Sequence, residues 1–85
     1  MRVRIPTPLR SYTGAAQVDA GGATLGDLLA ELDRLYPGLR FRVVDEQDRV
    51  RPHIRLFVNR EQVRDLGHPL APADDVVIVP ALSGG

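Results

Sequence analysis

Neither cysteine nor lysine occurs in the 85-residue sequence, and no apolar run approaches the length of a membrane span. Without cysteine there is no disulfide framework, no thiolate metal site and no cysteine nucleophile, so any sulfur chemistry must use another atom. A bilayer-spanning helix needs about 20 consecutive apolar residues. The N-terminus, Met1-Arg2-Val3-Arg4, runs instead straight into prolines with no apolar leader. A cytoplasmic protein is therefore expected. An excess of charge is missing too, since eleven basic and eleven acidic residues give a formal net charge of zero. The basic residues are spread along the chain, which offers no electrostatic footprint to nucleic acid or to an anionic membrane.

All eleven basic residues are arginine. A GC-rich genome explains this, because it favours Arg, Ala, Gly, Pro and Asp codons together. A second reading is that a protein with an activated acyl group benefits from having no amines to attack it. In either case the chain cannot receive an isopeptide bond on a lysine of its own. The two histidines, His53 and His68, have no partners at metal-binding spacing, so no metal site is expected. Ser83 lacks a recognisable base and oxyanion constellation. An independent enzyme is thus the class with least support.

An apolar share of 44% beside 26% charged residues lies far from the composition of disordered chains, so the protein should fold. At this length one domain with one small core is expected, burying about 60–65% of the surface exposed by the unfolded chain. Val3, Ile5 and Leu9 suggest a first strand broken by Pro6 and Pro8, and Thr13-Gly14 reads as a turn. Gln17 to Ala20 would return as the second strand of a hairpin spanning residues 2 to 20. Thr24 with Asp27 three residues later resembles a capping box. Leu25, Leu28, Leu29, Leu32, Leu35 and Tyr36 follow at helical spacing and predict an apolar stripe in the core, ended by Pro37-Gly38. Leu39 to Val44 reads as a short helical turn or irregular chain, and Asp45 to Asp48 as a polar loop. Ile54, Leu56 and Val58 alternate with Arg55, Phe57 and Asn59 as in a half-buried strand. A short strand over Val63 to Leu66 and a last strand over Val76 to Val79, ended by Pro80, complete an α+β pattern.

After Pro80 come Ala81, Leu82, Ser83, Gly84 and Gly85. These small residues predict an arm leaving the body (residues 81–85 after a domain of 1–80), reaching at most about 16–18 Å. Glycine at the end lets backbone thread a narrow channel and leaves the terminal carboxylate open to attack. Read alone, a terminal Gly-Gly is equally a frayed end.

Several segments taken together carry a resemblance over nearly the whole chain. They are Leu9-Arg10 with Thr13-Gly14, Ala23-Thr24-Leu25-Gly26, Tyr36-Pro37-Gly38, Phe57-Val58-Asn59, Leu70-Ala71-Pro72-Ala73-Asp74-Asp75-Val76, and Val79-Pro80-Ala81-Leu82-Ser83-Gly84-Gly85. The sequence resembles the ubiquitin-like sulfur carriers, which include the molybdopterin synthase small subunit, the thiamine sulfur carrier and a carrier of bacterial cysteine synthesis. The opening Ile5-Pro6-Thr7-Pro8-Leu9-Arg10 is most similar to the cysteine branch. The long segment from Leu39 to Pro52 is unlike the shorter thiamine carriers. Some related carriers are clipped after Gly-Gly by a metallopeptidase, and this sequence already ends at Gly85.

The resemblance implies a β-grasp fold, a mixed sheet with one main helix on one face. It implies no catalytic side chain and no bound cofactor. An ATP-dependent adenylating enzyme of the ubiquitin-activating type would form the Gly85 acyl-adenylate, with Ala81, Leu82, Ser83 and Gly84 threading its channel. A sulfur donor would then leave a thiocarboxylate on Gly85. The acceptor enzyme would be a pyridoxal-phosphate-dependent synthase in the cysteine branch, with a peptidase releasing the product. Docking would fall to Phe57, Val77 and Val79 on the sheet face away from the helix, unless loops cover them, and to Arg10, unless it is merely solvated. A molybdopterin synthase subunit and a protein modifier conjugated through Gly85 remain the alternatives.

Overall fold

The computed structural model describes residues 1–80. The expectations for Ala81, Leu82, Ser83, Gly84 and Gly85, and for a separate tail, lie outside the described residues. The first strand, β1 (Arg2–Arg4), is short because proline cannot donate to a ladder. Pro6 and Pro8 turn the chain into a 3-10 turn over Thr7–Leu9 and then a short helix, α1 (Arg10–Thr13). Gly14 closes α1 with φ +69°, a left-handed conformation that costs glycine no Cβ clash. β2 (Gln17–Asp19) then pairs antiparallel with β1, Arg2 opposite Asp19 and Arg4 opposite Gln17. The strand pairing expected over residues 2 to 20 is present, but the connection is helical rather than a tight hairpin. Leu9 belongs to that connection and is buried there, not in a strand.

The main helix, α2 (Leu25–Leu35), begins as its cap demands: Thr24 Oγ1 accepts from the Asp27 N–H at 3.1 Å. Leu25, Leu28, Leu29 and Leu32 are at most 1% exposed. Leu35 departs from the predicted stripe and is 41% exposed. It is the last residue of the helix, where the chain leaves through Pro37-Gly38. Tyr36 only packs against the core's margin. Gly38, at φ +96°, redirects the chain into α3 (Leu39–Val43), whose Leu39 and Val43 are buried one turn apart. Asp33 Oδ1 accepts from the N–H groups of Gly38 and Arg40, tying the two helices together.

β3 (Ile54–Val58) has the predicted alternation, with Ile54, Leu56 and Val58 buried. Asn59 and Arg60 both have positive φ, 50° and 74°, as a two-residue turn of mirror-image type requires. That tight turn places β4 at Glu61–Gln62, opposite Val58 and Phe57, rather than over Val63 to Leu66. Val63 still donates its N–H to Leu56 and is buried, after which the chain departs. β5 (Asp75–Pro80) lies parallel to β1 and antiparallel to β3. The sheet order is β2-β1-β5-β3-β4. β5 is therefore central, and its inward residues Val76 and Ile78 meet the leucines of α2 in a single core.

Candidate functional site

Everything that could deliver the C-terminal residues to a partner starts at the last described residue, Pro80, at the end of β5. A central strand is held on both sides: Val77 by Arg4 of β1 and Phe57 of β3, and Pro80 by Ile54 of β3. The strand is thus anchored on both sides as far as Val77, and at Pro80 it is held by β3 alone.

On the face away from α2, strand register brings Gln17, Arg4, Val77, Phe57 and Gln62 into one row across all five strands, with Val79 opposite Arg55 in the next. Phe57, Val77 and Val79 are half-buried, so neither a loop nor a second helix seals them. Val77 and Val79 share a shallow groove of about 340 Å³ with Arg4, Pro6, Arg10 and Gln17. Arg10 is itself exposed, and its Nε donates to the Ile5 carbonyl at 3.0 Å, which steers the guanidinium along this rim. The structure therefore brings together all four side chains that the sequence suggested for docking. They form an apolar strip edged by arginine.

A second hollow, of about 320 Å³, opens at Pro80 itself and was not foreseen from the sequence. Pro6, Pro8, Tyr12, Arg42, His53 and Pro80 are among its walls. Arg42 Nε donates to the Tyr12 hydroxyl at 2.7 Å, a bond that raises the arginine's pKa above its ordinary value. A neighbouring hollow shares Arg42 and His53 and adds Phe41 and Arg51. The only sequence signal for this region was Arg40-Phe41-Arg42, an aromatic residue between two arginines.

The far end of the sheet differs in charge. There Arg2 lies between Asp19 and Asp75, and Glu61 lies opposite Val58. Asn59 and Asp74 fasten that end: Asn59 Nδ2 donates to Asp74 Oδ1, Asn59 Oδ1 accepts from the Asp75 N–H, and Asp74 Oδ2 accepts from the Ala71 N–H, at 2.8–2.9 Å. Phe57-Val58-Asn59 and Leu70 to Val76, two segments that carried the resemblance, are therefore bonded to one another. His53 and His68 lie in different parts of the fold: His53 lines the hollow by Pro80, and His68, between β4 and β5, accepts at its carbonyl from the Leu25 N–H at the start of α2. Among the described residues no group of three His, Cys, Asp or Glu side chains is placed to hold a metal ion. None of their helices is long and apolar enough to cross a membrane.

Comparison with known proteins agrees with this geometry. Residues 3–85 match the ThiS family. The chain is 38% identical over 89 residues to the sulfur carrier protein CysO of Mycobacterium tuberculosis, covering 98% of this chain and 96% of that one. The crystal structure of M. tuberculosis CysO superposes with a TM-score of 0.90 at 36% identity, over 95% of this chain and 98% of CysO. A chain in the crystal structure of the Amycolatopsis orientalis BexX/CysO complex gives 0.91 at 34% identity, covering 99% of this chain and 98% of that one. SAMP1 of Haloferax volcanii, a small archaeal modifier protein, gives 0.79 at 32% identity over 100% of this chain and 98% of its own.

Proposed function

The chain belongs to the ThiS family of ubiquitin-like sulfur carriers, and from that premise we propose that it carries sulfur as a thiocarboxylate on Gly85 for cysteine biosynthesis. The observation that supports this most is the full-length likeness to CysO, 38% identity over 98% of the chain. A carboxylate is a poor electrophile, because its charge repels nucleophiles and oxide is a poor leaving group. Activation must come first. An adenylating enzyme joins Gly85 to the AMP of ATP and releases pyrophosphate. Sulfide, or a persulfide with a reductant, then attacks the acyl carbon and expels AMP.

The resulting thiocarboxylate stays largely ionised at neutral pH, and its sulfur is a softer and stronger nucleophile than carboxylate oxygen. That suits attack on an activated carbon, such as an aminoacrylate held by a pyridoxal-phosphate synthase, after which a peptidase frees the product. The carrier supplies no catalytic side chain. Phe57, Val77 and Val79 dock the activating enzyme, with Arg10 at the rim. Exposed apolar strips of this kind, edged by polar groups, are typical partner sites. The likeness to SAMP1 favours one second reading, conjugation of Gly85 to lysines of other proteins.

Intact-mass measurement of the protein incubated with its activating enzyme, ATP and sulfide separates the two. A mass gain equal to exchange of one oxygen for sulfur is expected. Conjugates joined through Gly85 would establish the modifier instead. Unmodified protein alone would refute both readings. Deleting Gly84-Gly85 should abolish modification while leaving the thermal midpoint of the folded body unchanged.

A further inference from the structure

Five residues follow Pro80, and extended chain spans at most about 3.3–3.6 Å per residue, or about 16–18 Å. An enzyme that takes Gly85 into a channel must therefore press the mouth of that channel against the surface around Pro80. That surface is the pair of joined hollows.

Its chemistry is distinctive. The Arg51 guanidinium lies 4.5 Å from the centroid of the Phe41 ring, and its Nε donates to the Phe41 carbonyl. The Arg42 guanidinium lies 5.9 Å from the Tyr12 ring centroid and is held by the Tyr12 hydroxyl. Both cations are thus held beside aromatic neighbours, and among the described residues each uses only its Nε in hydrogen bonding, which leaves the paired Nη donors that carboxylates fit. Among the described residues only Arg34, Arg40 and Arg49 of the eleven arginines have a carboxylate partner, and Arg42 and Arg51 differ from the other unpaired ones in the aromatic ring beside each. Asp45, whose charge Arg51 feels, is already engaged by the N–H groups of Gln47 and Arg49. Phe41 is 56% exposed, an aromatic surface left open beside two oriented cations. Arginine and aromatic residues are the side chains most enriched in binding hot spots. Pro6 lines both this region and the groove of the open sheet face, so the two surfaces are continuous.

Resting on the reading of Gly85 as the adenylated residue, we propose that this basic aromatic groove docks an acidic segment at the mouth of the activating enzyme's channel. Carboxylates of that segment pair with Arg42 and Arg51, and an apolar side chain seats among Pro6, Pro8 and Pro80.

Pyrophosphate release by the activating enzyme, with the full-length carrier as varied substrate, tests this. The double variant Arg42→Glu/Arg51→Glu should raise the KM for carrier at least about tenfold at low salt, with kcat unchanged. The wild-type KM should rise with ionic strength, and the glutamate variant should lose that rise. Arg42→Lys/Arg51→Lys, which keeps the charge but loses the planar fork and the stacking, should give a KM between wild type and the glutamate variant and keep the dependence on ionic strength. Arg2→Glu/Arg34→Glu, the same change in net charge placed elsewhere, should leave KM within about twofold of wild type, since a distant charge acts only through a screened field. A wild-type KM for the glutamate variant would overturn the proposal while leaving Gly85 adenylation intact. A rise in the KM for ATP in place of that for carrier would also overturn it, by assigning the arginines to phosphate. Failure of the wild type itself to release pyrophosphate would instead overturn the adenylation reading beneath it.

Discussion

Gly22 has a task that nothing in its local sequence suggests. A Cβ there would stand 2.5 Å from the Leu28 backbone N and 2.9 Å from the Asp27 carbonyl carbon, atoms of α2 that cannot yield without moving the helix. Gly21, one residue earlier, has nothing within 4 Å. Gly22→Ala should therefore destabilise the protein by about 1–3 kcal/mol, the usual cost of overpacking. Gly21→Ala should be neutral or slightly stabilising, because it narrows the unfolded ensemble without a clash. Urea denaturation of the two variants measures the difference, and equal midpoints would contradict it. The pair looks identical in sequence, because contact with a helix approaching from elsewhere in space leaves no local trace.

At the level of elements, α2 was the most legible part of the chain. Its cap, its stripe and its proline stop are all nearest-neighbour or one-turn signals, and the structure has each of them. Leu35 was the exception, since spacing places a residue on a face but does not say where the covering sheet ends. The two leucines Leu29 and Leu35, 1% and 41% exposed, make the contrast measurable. Leu29→Ala should cost about 2–5 kcal/mol through lost burial and a cavity. Leu35→Ala should stay within about 0.5 kcal/mol, as surface substitutions do. Thermal unfolding of both decides it, and a large loss at Leu35 would show that something covers that residue in solution. Elsewhere prolines misled the strand assignment: Pro6 and Pro8 were legible as breaks, but not as the start of a helical connection. The turn at Asn59-Arg60 likewise fixed where β4 begins, and its positive φ values are not written in Arg60's own preferences.

Across the whole molecule, the sheet is fastened at the end opposite Pro80 by the Asn59 and Asp74 bonds, which join the β3–β4 turn to the entry of β5. The N–H of Ala71, and then the Asn59 side chain, hold the Asp74 carboxyl below its ordinary pKa of 3.8. A carboxyl depressed in the folded state binds its proton more readily when unfolded. Its contribution is thus complete above pH 3.8 and is lost as pH falls through the lower folded value. The thermal midpoint should accordingly fall on acidification below that pH, and Asp74→Asn should be less stable near neutrality with a shallower acid limb. An unchanged acid limb in the variant would assign the loss to other carboxyls, Asp45 among them, which the N–H of Arg49 chiefly depresses.

The sequence by itself determined the local elements, the composition of a single small core and the likeness to sulfur carriers with Gly84-Gly85 at the end, because periodicity, capping and motif order are properties of neighbouring residues. Which residues surround the exit of the chain was decided only in three dimensions. Arg10, Arg42, Arg51 and His53 are scattered over more than 40 positions of a chain with no net charge, and no run of them signals a basic surface. The order β2-β1-β5-β3-β4 sets β5 between β1 and β3. The prolines after β1 and the start of β3 thereby meet at Pro80, and α3 brings Arg42 to the same end. Charge that cancels along the sequence is separated by folding, and that separation gives the C-terminus its surroundings.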